Sequence, residues 1–129
     1  MKLSLLEPNA HYDLAHGKPS VIERDNDGSV LYRFNIEEEF SAKTERDDEE
    51  KQVGWRCREV RIFAKPTKAA LKRAIIRSVL DETAEFALVN AYNAHVTKIK
   101  VDASAVSEYK EFLQFTEDVD AMLVSDEPN

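Results

Sequence analysis

The fold class that the sequence predicts is α+β, strands first and helices after. Three observations carry it. Residues 29–40 and 53–64 alternate apolar and polar positions with a period of two, and from Pro66 onward the apolar spacing becomes helical. A third is the punctuation: Asp25-Asn26-Asp27-Gly28 is a hairpin turn signal, and Thr67 is placed to cap a helix. The expected architecture is an N-terminal antiparallel β-meander of about three strands packed against two to three C-terminal helices, in a single domain covering 1–129.

Residues 1–19 contain Pro8, Gly17 and Pro19 without a clear period and read as a loose N-terminal arm. The meander occupies 20–65. Ser20 to Arg24 is its first strand, and a loop with Gly28 in the left-handed region sets Ile22 opposite Tyr32. In the second strand Val30, Tyr32, Phe34, Ile36 and Phe40 share a face, which Glu38 interrupts. Residues 41–52 are almost wholly polar and read as a solvated, mobile connection. The third strand puts Val53, Trp55 and Cys57 on one face, then shifts phase to Val60 and Ile62. A β-bulge near Arg58-Glu59 would restore the register. Antiparallel pairing then sets Phe40 by Val53, Ile36 by Cys57, Phe34 by Val60 and Tyr32 by Ile62. On the other face it sets Glu37 by Arg56.

The helical part covers 66–124. Ala70, Leu71, Ala74, Ile75 and Val79 form the stripe of a helix ending near Leu80, and Asp81-Glu82-Thr83 breaks and re-caps it. A second helix carries Phe86, Val89 and Asn90 on one side and Leu88, Ala91 and Tyr92 on the other. Residues 96–101 read either as a short edge strand or as an extended link. Asp102 or Ser104 caps a long helix to about Val124, and 125–129 is a frayed polar tail.

Composition limits function. The three glycines, Gly17, Gly28 and Gly54, are too scattered for a P-loop, a dinucleotide turn or a nucleophile elbow. A single cysteine, Cys57, excludes an internal disulfide and a cysteine-based zinc finger. The apolar run at the N-terminus is broken by Glu7 and Pro8, which is not a signal-peptide pattern, and no stretch approaches the length of a membrane span. A cytoplasmic protein is expected, with virion association as a variant of that reading.

Several local constellations have a bland reading beside a sharp one. His11 and His16 flank Asp13, but their spacing does not put both rings on one helical face, so no metal site is assigned. Aligned on Gly28, an EF-hand loop would begin at Glu23 and need a glutamate where Phe34 stands; the turn reading prevails. Asp47-Asp48-Glu49-Glu50 reads as a solvated loop, Trp55 as core, and His95 as a favourable charge at a helix C-terminus. Glu38 is a mark of a sheet end or the carboxylate of a pocket on the sheet face, the one place for a small enzyme's site. No catalytic residue and no cofactor is assigned.

Net charge is −7, but it is segregated: neutral over 1–19, −6 over 20–55, +7 over 56–80 and −8 over 81–129. On the first helix Lys68 and Lys72, and Arg73 and Arg77, are i, i+4 neighbours, so they form adjoining rows. These four are the candidate partner-contact residues. A nucleic-acid-binding regulator using the basic 56–77 region is the alternative.

Residues 65–115 resemble small uncharacterised proteins encoded in prophages and mobile elements of gut Bacteroidetes. The resemblance lies in Lys65-Pro66-Thr67 before Ala74-Ile75-Ile76, in Asp81-Glu82, in Phe86-Ala87-Leu88-Val89-Asn90-Ala91-Tyr92-Asn93, and in Glu108-Tyr109-Lys110-Glu111-Phe112. It implies a phage-derived structural or assembly accessory that acts by protein–protein contacts or self-association, with no catalytic residues to carry over.

Overall fold

The computed structural model describes residues 1–42 and 50–126. Most of the polar connection, with Asp47, Asp48 and Glu49, lies outside the described residues, as do the last three positions of the tail. The strands precede the helices, the segregated order of an α+β fold. Contacts divide the chain into two compact units. One is Leu6–Ala64; the other joins Met1–Leu5 to Lys65–Asn129.

The first unit is a four-stranded antiparallel sheet, one strand more than expected. Its strands are β1 (Ala10–Asp13), β2 (Ile22–Arg24), β3 (Val30–Phe40) and β4 (Gln52–Ile62), in the spatial order β1-β4-β3-β2. The extra strand comes from the segment read as a loose arm. Four residues are too few to show a period, and their partner is distant in sequence: Ala10 faces Cys57 and Asp13 faces Gly54. Gly54 makes this pairing feasible, because a Cβ there would stand 2.0 Å from the Tyr12 carbonyl oxygen.

The β2–β3 hairpin has the expected register, Ile22 opposite Tyr32, with Gly28 at φ 87°. Asp27 accepts hydrogen bonds from the Ser29 amide and hydroxyl, which hold its carboxyl below the usual range. In the β3–β4 pair Glu37 does face Arg56, and the two form an ion pair at 3.1 Å. The rest of the register differs. Val30 faces Ile62, Tyr32 faces Val60 and Phe34 faces Arg58, because the extra residue between Phe34 and Glu37 lies on β3 rather than at Arg58-Glu59. Asn35, at φ 52°, sits in it; asparagine is among the few residues that tolerate the left-handed region. A second irregularity, between Glu39 and Phe40, puts Phe40 opposite Gln52 instead of Val53.

Moving the bulge changes the faces. β4 alternates unbroken from Trp55 to Ile62, so Trp55 and Cys57 lie with Glu59, opposite to Val60 and Ile62. Val30, Tyr32, Phe34, Val60 and Ile62 are buried on one face. On the other, Leu31, Arg33 and Cys57 are buried as well, so the first half of β3 is covered on both sides.

The second unit holds α1 (Lys68–Val79), α2 (Glu82–Val96) and α3 (Ala103–Asp126). Thr67 caps α1 by accepting from the Ala70 amide at 3.2 Å, and Asp81 caps α2 by accepting from Ala84 at 2.8 Å. Residues 97–101 form a turn and link, not a strand, with Lys98 at φ 64°. Asp102 accepts from the Ser104 amide and hydroxyl, which lower its carboxyl, and its own amide donates to His95 Nδ1 at 3.0 Å. The core consists of Leu71, Ile75 and Ile76 from α1 and Ala105, Phe112, Phe115, Val119 and Leu123 from α3, with Leu3 from the N-terminal segment. α2 contributes no buried residue.

Candidate functional site

The basic rows of α1 are partly spent within their own unit. Lys72 pairs with Asp120 of α3 at 2.8 Å. Arg77 pairs with Glu85 of α2 at 3.3 Å, lies 3.9 Å from Glu82 and donates to the Leu80 carbonyl. Lys68 and Arg73 are exposed and make no ion pair among the described residues. Beside them on the helix a shallow cleft of about 260 Å³ is lined by Ala69, Lys72, Arg73, Ile76, Arg77 and Glu85, with Lys68 outside it. A phosphate backbone approaching it meets two free cations and the carboxylates that hold the other two, a weak electrostatic footprint.

Other expected constellations are dispersed. His11 Nδ1 lies 2.5 Å from Glu39, while His16 belongs to a different cleft. No group of three or more histidine, cysteine or acidic side chains is arranged to hold a metal among the described residues. Asp25 pairs with Arg61 at 3.2 Å as part of the hairpin. Glu38 is exposed opposite Trp55, on the part of β3 that extends past β2. Trp55 is half-buried rather than core, and the Lys18 ammonium stands 5.8 Å from its ring centre.

Sequence reading misses the most polar centre of the molecule. Arg33, 3% exposed, draws together every strand of the sheet. Its Nε donates to the Tyr12 hydroxyl (β1) at 3.0 Å and to Glu59 (β4) at 3.1 Å, Nη2 to Glu23 (β2) at 2.6 Å, and Nη1 to the Ser20 carbonyl at 3.1 Å. The guanidinium also lies 4.7 Å from the Tyr12 ring centre. Burial alone would lower its pKa, but the bonds to Glu23 and Tyr12 outweigh that and raise it. Burial, with the Glu59 hydrogen bond, pushes the Tyr12 phenol up. Burial likewise raises the Cys57 thiol, aided by the Glu59 charge. An open cleft of about 430 Å³ adjoins the cluster, lined by Tyr12, His16, Gly17, Lys18, Pro19, Ser20, Glu23 and Arg33. Its charged groups are engaged with one another, which suits holding strands together better than turning over a substrate.

The helical hairpin of α2 and α3 is the second feature the sequence understates. Tyr92 and Tyr109 pack with their rings tilted by 33° and their centres 4.6 Å apart, so the helices do touch. Even so, Phe86 is 62% exposed, Val96 56%, Ile99 84% and Val101 73%. One apolar cleft of about 390 Å³ is lined by Ala84, Ala87, Leu88 and Ala91 with Glu108 and Glu111, and the Met1 ammonium pairs with Glu111. Another of about 440 Å³ lies among Tyr92, His95, Val96, Lys98, Val101 and Val106. Most of α2 is apolar, with Ala84, Leu88, Val89, Tyr92 and Ala94 half-buried and Phe86, Ala87, Ala91 and Val96 exposed, while Glu82, Asn90 and Asn93 make one side polar. The signal in the sequence was the placement of apolar residues on two sides of this helix.

Among the described residues no helix is long and apolar enough to cross a membrane. No protein-family model, curated protein or solved structure matches the chain.

Proposed function

We propose that the protein is non-enzymatic and works by contact with another protein surface through the α2–α3 hairpin. The observation that carries this reading is α2 itself, predominantly apolar yet without a buried residue. Contiguous exposed apolar surface costs solubility, and folds that keep it commonly cover it with a protein neighbour. The engaged state of the Arg33 cluster and the exposure of Glu38 give no support to a catalytic role. A phage-derived structural or assembly accessory, the kind that residues 65–115 resemble, would act in this way.

The test is affinity purification of the chain at native expression level, beside a variant carrying Phe86→Ser, Val96→Ser and Ile99→Ser. A defined protein, or a second copy of the chain, retained by the wild type and lost by an equally stable variant is the expected result. Equal retention by both, or no retained protein with either, overturns the reading.

A further inference from the structure

We infer that the protein which covers α2 is a second copy of the chain, packed antiparallel about a two-fold axis at Asn90. This rests on the contact reading above and names its partner. The outward side of α2 is a ridge of Glu82, Phe86, Asn90, Asn93 and, just past the helix, Thr97, all exposed and spaced by three or four residues. Charge is divided along that ridge. Glu82, its side chain 67% exposed and 3.9 Å from Arg77, stands at its N-terminal end; Lys98 and Lys100 stand just beyond its C-terminal end.

Asn90 lies midway between Glu82 and Lys98, about 12 Å from Glu82 along the helix axis. An antiparallel pair centred there brings Glu82 of one copy beside Lys98 and Lys100 of the other, twice over. It also sets the two helix dipoles antiparallel, side by side. Phe86, the one large apolar side chain on the ridge, falls over Asn93 and Ala94 of the second copy, large against small. Asn90 meets itself, and a primary amide is both donor and acceptor. Its side chain has no hydrogen-bond partner among the described residues. A parallel pair would set Glu82 against Glu82. An unrelated basic helix would satisfy Glu82 but face Lys98 and Lys100 with like charge. One helical face per copy is a small interface, so the dimer forms at high protein concentration and dissociates on dilution.

Cysteine placement tests the axis, since the one native thiol, Cys57, is buried. Under mild oxidation Asn90→Cys is expected to give a disulfide-linked dimer, and Glu108→Cys, exposed on α3, is not. Light scattering should show a concentration-dependent dimer that weakens about tenfold or more with Lys98→Glu and Lys100→Glu together. Adding Glu82→Lys to that variant should restore it. A wild type that stays monomeric while Asn90→Cys crosslinks no faster than Glu108→Cys overturns the proposal. So does a dimer that is indifferent to the charge reversals. In either case a different protein retained through Phe86 would leave the broader contact reading standing, whereas its absence would remove both.

Discussion

The sheet and the helical hairpin handle their polar and apolar groups in opposite ways. In the sheet unit a full positive charge is buried, and it is satisfied by one group or more from each of the other three strands. In the helical unit a largely apolar helix has no fully buried residue and keeps Phe86 and Val96 exposed. Buried polar groups without partners are expensive, so Arg33 must have its ring of acceptors for the sheet to exist at all. Exposed apolar groups cost far less per side chain, so α2 can remain open without unfolding its unit. The first arrangement is a device of stability; the second leaves a surface available.

The sharpest way to break this contrast is Arg33→Met. It strands Glu23, Glu59 and Tyr12 and should cost about 3–5 kcal/mol, read as the shift in urea unfolding of Trp55 fluorescence. A loss below about 1 kcal/mol would mean the cluster is incidental to the sheet. Next comes Gly54→Ala, which drives a methyl into the Tyr12 carbonyl and should cost about 1–3 kcal/mol. Amide exchange should quicken in residues 10–13 and not in α1. On the helical side the largest single effect short of the core is Asp81→Ala, about 1 kcal/mol by loss of the α2 cap, seen in helical circular dichroism on denaturation. Phe86→Ser should change stability by no more than about 0.5 kcal/mol while abolishing association, and a large destabilisation would contradict an uncovered α2.

The sheet unit should also lose stability at alkaline pH. The Tyr12 phenol is raised above its ordinary value of 10.0, so the neutral form is favoured by folding. That contribution is present in full below the unfolded pKa and is lost as pH rises through the higher folded one. Stability of the sheet should therefore fall in the alkaline range, the raised Cys57 thiol contributing above about pH 9 and Tyr12 above about pH 10. Tyr12→Phe should flatten the upper part of that limb. An unchanged alkaline limb in Tyr12→Phe would refute the assignment.

What the sequence shows and what it conceals divides along the same line. Local chemistry is legible: Gly28 in its turn, Thr67 and Asp81 as caps, and Glu37 opposite Arg56. Distant pairing is not. Residues 10–13 look like coil because their partner lies more than forty residues on. Alternation counts Arg33 as an outward polar residue, and only the arrival of Tyr12, Glu23 and Glu59 makes its burial tolerable. The bulge had a local sign, Asn35 within a strand, but two apolar phases on β4 pointed elsewhere. Of the four cations read on α1, spacing could place them together but could not foresee Asp120 and Glu85 reaching two of them.

The order of strands has a consequence for the nascent chain. β1 is translated first, yet its one neighbour in the sheet, β4, is translated last. While the β2–β3–β4 meander forms from contacts close in sequence, the earliest strand has to wait, and the Arg33 guanidinium waits with it for the Tyr12 hydroxyl. Closure of the sheet is thus a check that everything from Ala10 to Ile62 has been made and has reached its register.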